Sequence, residues 1–227
     1  MWWRQCDHFS MLDISAPHSL FNAEAGSHPL PVDEREIAAV LRASRRCYQA
    51  QPYFLERYGE RGEAFTRSDG GYLATLADHP QSHVDSQVIW LARILANRGI
   101  PRWLMEMHLD LLVTELTAAV PDRAAEYFKL HCAAQVLREE RLAAISQSDF
   151  DALVAKFDSA SGGGLKGAGA LLVAAVCDEY CGLAEAVPSL VGWLGSPTRF
   201  SPKWCVAATD TLAQARRLAA QSRADAP

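Results

Sequence analysis

Apolar residues along this chain recur at steps of three and four, most clearly at Val84, Val88, Leu91 and Leu95. That spacing puts all four on one face of an α-helix. Asn97-Arg98-Gly99 supplies a stop, because glycine takes the left-handed cap conformation at low cost. Pro101 suits the first turn of a second helix, where its missing amide donor is not needed. The second helix carries Leu104, Met107, Leu111, Leu112 and Leu116. So short a link predicts an antiparallel αα-hairpin.

The same signals extend along the chain. Asp33 with Glu36 reads as a capping box for a helix through Ile37, Val40 and Leu41 that ends at Gln51-Pro52. Pro52 opens a short helix through Phe54, Leu55 and Tyr58, closed by Gly59 and Gly62. Thr66 to Gly71 reads as a turn before another short helix at Tyr72, Leu73 and Leu76. Pro121-Asp122 starts a helix through Phe128, Cys132, Val136 and Leu137, and Ser148 caps one through Leu153 and Phe157. After Gly162-Gly163-Gly164, the run Ala168 to Val176 is apolar throughout, which predicts a buried helix. It is far short of the roughly 20 residues a membrane span requires. Ser201-Pro202 opens a last helix ending near Ala220. No segment alternates with the period of a strand. The expected fold class is all-α, a helical bundle.

One pattern occurs twice. Ser86-Gln87-Val88-Ile89-Trp90-Leu91 resembles Ser189-Leu190-Val191-Gly192-Trp193-Leu194, and Pro101-Arg102-Trp103 is matched by Pro202-Lys203-Trp204. The copies lie about 100 residues apart, which suggests two related helical halves in a pseudo-twofold arrangement. The expected organisation is a flexible arm over 1–31, half 1 over 32–125, half 2 over 126–222 and a tail over 223–227. Any ligand pocket is expected between the halves.

Composition narrows the function classes. A formal net charge of -5 disfavours nucleic acid or an anionic membrane as the main partner. Met1 to His8 lacks the apolar run of a signal peptide. The six scattered cysteines, Cys6, Cys47, Cys132, Cys177, Cys181 and Cys205, read as free thiols in a reducing cytoplasm.

Few residues suggest chemistry. His108 shares an apolar face with Leu104, Leu111 and Leu112. It reads either as an axial ligand to haem or another planar cofactor, or as a core histidine bonded to a carbonyl or to Glu115. His79 and His83 have a metal-ligand spacing but enclose Pro80, and Cys177 and Cys181 are spaced i, i+4 rather than as a Cys-x-x-Cys motif. Both pairs fit polar helix-start or core positions better. Lys166 among glycines lacks the following Ser or Thr of a phosphate loop. Trp90 and Trp193, with Trp103 and Trp204, are candidates for an aromatic pocket or for core anchors. No catalytic nucleophile with its base is visible, and no particular cofactor is implied.

Arg57-Tyr58-Gly59, Tyr72-Leu73, Val88-Ile89-Trp90-Leu91, Arg98-Gly99-Ile100-Pro101, Leu109 and Leu116 form one further pattern. Over residues 54–118 the chain resembles the globin-like helical sensory modules of bacterial regulators, those associated with cobalamin-binding or anti-sigma-antagonist domains. The resemblance implies a regulatory or interaction protein that senses a small ligand or engages a protein partner. The alternative is a haem protein using His108.

Overall fold

Asp33 shows how local chemistry sets the first element. Its carboxylate accepts the Arg35 backbone N–H at 2.8 Å and caps a helix over Glu34–Ala50. The structure is a computed structural model that describes residues 28–224. Most of the expected arm, with Met1-Trp2-Trp3 and Cys6, and the last residues of the tail lie outside the described residues. The capping box is only half present. Glu36 turns away from the helix start and accepts bonds from the Tyr127 hydroxyl and the Arg123 guanidinium.

Among the described residues every regular element is helical. In chain order they are α1 (Glu34–Ala50), α2 (Pro52–Leu76), α3 (Gln81–Ala96), α4 (Arg102–Ala119), α5 (Ala124–Ala144), α6 (Gln147–Ala160), α7 (Ala168–Tyr180), α8 (Ala186–Leu194) and α9 (Pro202–Ala224), with a 3-10 turn at Pro121–Arg123 before α5. The expected link between α3 and α4 is present, with Gly99 at φ 86°, but the two helices do not pair along their length as the expected hairpin: α4 packs chiefly on α1 and α5, and α3 on α5. No helix among the described residues is long and apolar enough to cross a membrane.

The clearest departure from the sequence reading is α2. It is two helices that meet at a kink at Gly59, φ 59° and ψ -159°, where the first was expected to close, but the expected turn at Thr66–Gly71 is helical and belongs to the second. Two hydroxyls that favour turns bond back along the helix instead, Thr66 to the Gly62 carbonyl and Ser68 to the Ala64 carbonyl. Gly70 and Gly71 are buried, so packing overrides their turn preference. A smaller correction falls on α6, which Ser146 caps rather than Ser148. In α5 the core face runs through Tyr127, Leu130, Ala134 and Leu137, leaving Phe128 57% exposed.

Two apolar cores result. One joins α1, the end of α2, α3, α4 and α5 through Val40, Leu73, Val88, Leu109, Leu112 and Leu130. The other surrounds α7, buried on every side from Ala168 to Asp178, with α6, α8, α9 and the start of α2. A helix apolar all round has to be central. Buried ion pairs lock the two together. The Arg102 backbone N–H and side-chain Nε both donate to Asp178 on α7, at 2.9 and 2.7 Å, and its Nη1 binds Glu140 on α5.

Candidate functional site

The Gly59 kink and the crossing of α1, α2, α3 and α4 leave a cavity of about 670 Å³. Ligand pockets typically fall between about 300 and 1,000 Å³. Its walls are aromatic and aliphatic, with Tyr48 and Phe54, then Tyr58 and Phe65, facing Ile94 and Leu95. All its lining residues lie between Cys47 and His108, inside the first half of the chain. The sequence placed any pocket between the halves. The cavity does meet both cores, because Tyr48, Phe54 and Leu104 belong to one and Leu91 and Met105 to the other. A smaller groove of about 320 Å³ lies between α4 and α5, and its charged groups are paired: Arg141 grips Glu106 at 3.0 Å and Arg138 reaches Asp110 at 2.8 Å.

His108 lines the larger cavity and is 5% exposed. Neither ring nitrogen has a hydrogen-bond partner among the described residues, and each shows less than 1 Å² to solvent. Glu115, one expected partner, instead holds Arg42 and Arg46 at 2.7 Å each. Nε2 lies against Gly70, where a Cβ would stand 3.2 Å away. Burial pulls the imidazole down to about 4 from an ordinary 6.5, so it is neutral at pH 7. The Tyr48 hydroxyl, on the same cavity, is also buried without a hydrogen-bond partner among the described residues. Unsatisfied buried polar groups are rare and costly, about 1–3 kcal/mol each. Two in one cavity wall mark it as unusual.

The rim is basic. Arg57, Arg61 and Arg98 line it against one carboxylate, Asp69. Arg57 is fixed over the Tyr58 ring, 5.1 Å from the centroid, and donates to the Ser189 carbonyl at 3.0 Å and the Arg98 carbonyl at 3.2 Å. Burial pushes the Asp69 carboxyl up to about 6, while the Arg98 guanidinium pulls it down.

The structure treats the four tryptophans differently. Trp90 lies on the cavity rim, 48% exposed. Trp193 is not part of the cavity and packs edge-on against Tyr53 at 5.5 Å and Phe200 at 5.6 Å. Trp204 is fully buried, and Trp103 tilts against Phe150 at 6.2 Å. Of the sequence candidates, His108 and Trp90 share one site and Trp193 stands apart, because α8 packs on the second core. Arg57, Arg98, Asp69 and Tyr48 were missed as site residues; only the Arg57-Tyr58-Gly59 and Arg98-Gly99 segments had drawn notice.

Other candidates carry little chemistry. The His79 and His83 rings lie 4.7 Å apart, but no group of three metal-ligating side chains forms among the described residues. Burial pushes the Cys177 thiol up to about 12, which keeps it protonated, and the five described cysteines are free.

Fold and cavity together define an all-α bundle with one apolar, basic-rimmed cavity of ligand size. No protein-family model, curated protein or solved structure matches this chain.

Proposed function

We propose that this chain is a helical regulatory or interaction protein that senses a small molecule in the cavity formed by α1, α2, α3 and α4. The observation that carries the reading is the buried His108 imidazole, left without a hydrogen-bond partner among the described residues on the wall of a 670 Å³ space. Interiors are otherwise close-packed and their polar groups bonded, so both features cost stability. A route to an output runs through the rim. The Ser189 hydroxyl on α8 donates to the Asn97 carbonyl at 2.7 Å, and Arg57 bridges Ser189 to Arg98. A ligand that moves the Asn97–Gly99 turn therefore acts directly on α8.

The test is a thermal-shift screen of small apolar and amphiphilic compounds on the intact protein. A binder at 100 times its dissociation constant adds about 2.7 kcal/mol of stability. Ile94→Trp, which fills the cavity, is expected to remove the shift. Shifts that survive the substitution, or a screen with none, count against the reading.

Haem bound through His108 is the second reading, favoured by the same unpartnered imidazole. It requires the ring to turn from Gly70 before a nitrogen faces the cavity. Haemin titration giving no Soret shift, or the same shift in His108→Ala, removes it.

A further inference from the structure

The rim and walls together say what kind of molecule the cavity suits. The chain as a whole is acidic, with a formal net charge of -5, yet the cavity rim carries three arginines and one aspartate. Arg57 makes no ion pair among the described residues. Its bonds go to the Ser189 and Arg98 carbonyls and the Tyr53 hydroxyl, so its charge is fixed in place and not neutralised. Arg98 donates no side-chain hydrogen bond among the described residues and is exposed at the cavity mouth. A guanidinium held by carbonyls keeps its charge and has already lost its side-chain freedom, which favours an anion arriving beside it. Behind the rim the walls change character, with Tyr48, Phe54, Tyr58, Phe65 and Trp90 supplying flat aromatic surface. Such surfaces favour ring systems that pack offset or edge-on.

We infer that the cavity takes an organic acid whose apolar body contains fused or linked rings, seated with its anionic group between Arg57 and Arg98 and its rings against Phe65 and Trp90. This rests on the reading of the cavity as a ligand site and adds the ligand's chemical class. The Tyr48 and His108 side chains line the same wall, with the hydroxyl and both ring nitrogens shielded from solvent and without a hydrogen-bond partner among the described residues.

Two fluorescent probes separate the claims on the intact protein. 8-Anilinonaphthalene-1-sulfonate and N-phenyl-1-naphthylamine share a ring body, and only the first is anionic. The expected result is saturable one-site binding of the sulfonate, at least about tenfold tighter than the neutral probe. Arg98→Leu, at an exposed position, is expected to weaken the sulfonate about tenfold and leave the neutral probe unchanged. Ile94→Trp is expected to abolish both, with an unchanged far-ultraviolet dichroism spectrum. Equal affinity of the two probes for the wild type, with no loss in Arg98→Leu, overturns the acid class and leaves the cavity as a ligand site. Failure of either probe to saturate, or binding untouched by Ile94→Trp, overturns the cavity reading itself. The wild-type comparison of the two probes decides the class even where a variant misfolds.

Discussion

The successive helices α3–α4 and α8–α9 share a sequence skeleton and differ in what fills the space beneath them. Under α9, Trp204 meets Phe157 edge-on at 4.9 Å and stacks on Phe200 at 4.6 Å, and its indole N–H donates to the Leu194 carbonyl at 2.8 Å. Gly164 approaches so closely that a Cβ there would stand 2.6 Å from the Trp204 ring. That side is filled, and its polar atom is bonded. Under α3 and α4, Trp90 sits half-exposed on the rim of an open space and both His108 nitrogens are unbonded among the described residues. The α8–α9 pair follows the packing and hydrogen-bonding rules, and the α3–α4 pair breaks both in one place. A place where local rules fail together beside a region that keeps them is where a functional site is to be sought.

The contrast can be broken by truncating tryptophans. Trp204→Ala is expected to cost about 3–5 kcal/mol in urea unfolding, because the emptied space is walled by rigid aromatics. Trp90→Ala is expected to cost about 1 kcal/mol or less, since much of its surface is already in water. Equal losses would mean that the two helix pairs are packed alike. The joint between the cores comes next. Asp178→Asn leaves Arg102 buried with only Glu140, and a loss of about 3 kcal/mol is expected from the same measurement. An unchanged midpoint would show that apolar packing alone joins them.

Acid sharpens the comparison further. His108 has a folded-state value near 4 and an ordinary one of 6.5, so the unfolded chain binds its proton more tightly. Its contribution to stability is present above pH 6.5 and lost as pH falls toward 4, a drop of about 3 kcal/mol at full strength. Asp69 acts in the opposite sense. Its folded value is raised to about 6 from 3.8, so stability falls as pH rises through that window. Removing His108 is expected to leave a profile that declines from pH 4 to 6, and Asp69→Asn one that climbs from pH 4 to 6.5. Unfolding curves across this range check both slopes, and parallel profiles would contradict the burial of either group.

Much of the frame was legible in the sequence, because α3, α4, α7 and α9 announce themselves by apolar spacing, proline starts and glycine stops. The course of α2 was not. Ser68, Asp69, Gly70 and Gly71 have turn chemistry, and only the approach of α1 and α4, with Val40 and His108 against Gly70, makes small residues suit a helix there. That error hid half the site. Reading the segment as a turn gave Asp69 no reason to face Arg98, and with no helix running on from the Gly59 kink nothing placed Phe65 with Tyr58 on the cavity shared by Ile94 and Leu95. His108 was found because its apolar neighbours at helical spacing predict burial. Its lack of any partner is a tertiary fact that no spacing encodes. Trp193 was grouped with Trp90 by sequence likeness, and the different partners of α3 and α8 separate them.

The most direct test of the claim that stability was given up at this cavity is the urea midpoint of His108→Leu at pH 7. Leucine matches the site's apolar character and leaves no nitrogen unbonded, so the account expects the variant to be more stable by about 1–2 kcal/mol. A variant less stable by that amount would mean that the imidazole is satisfied where it lies, and the contrast between the two helix pairs would lose its basis.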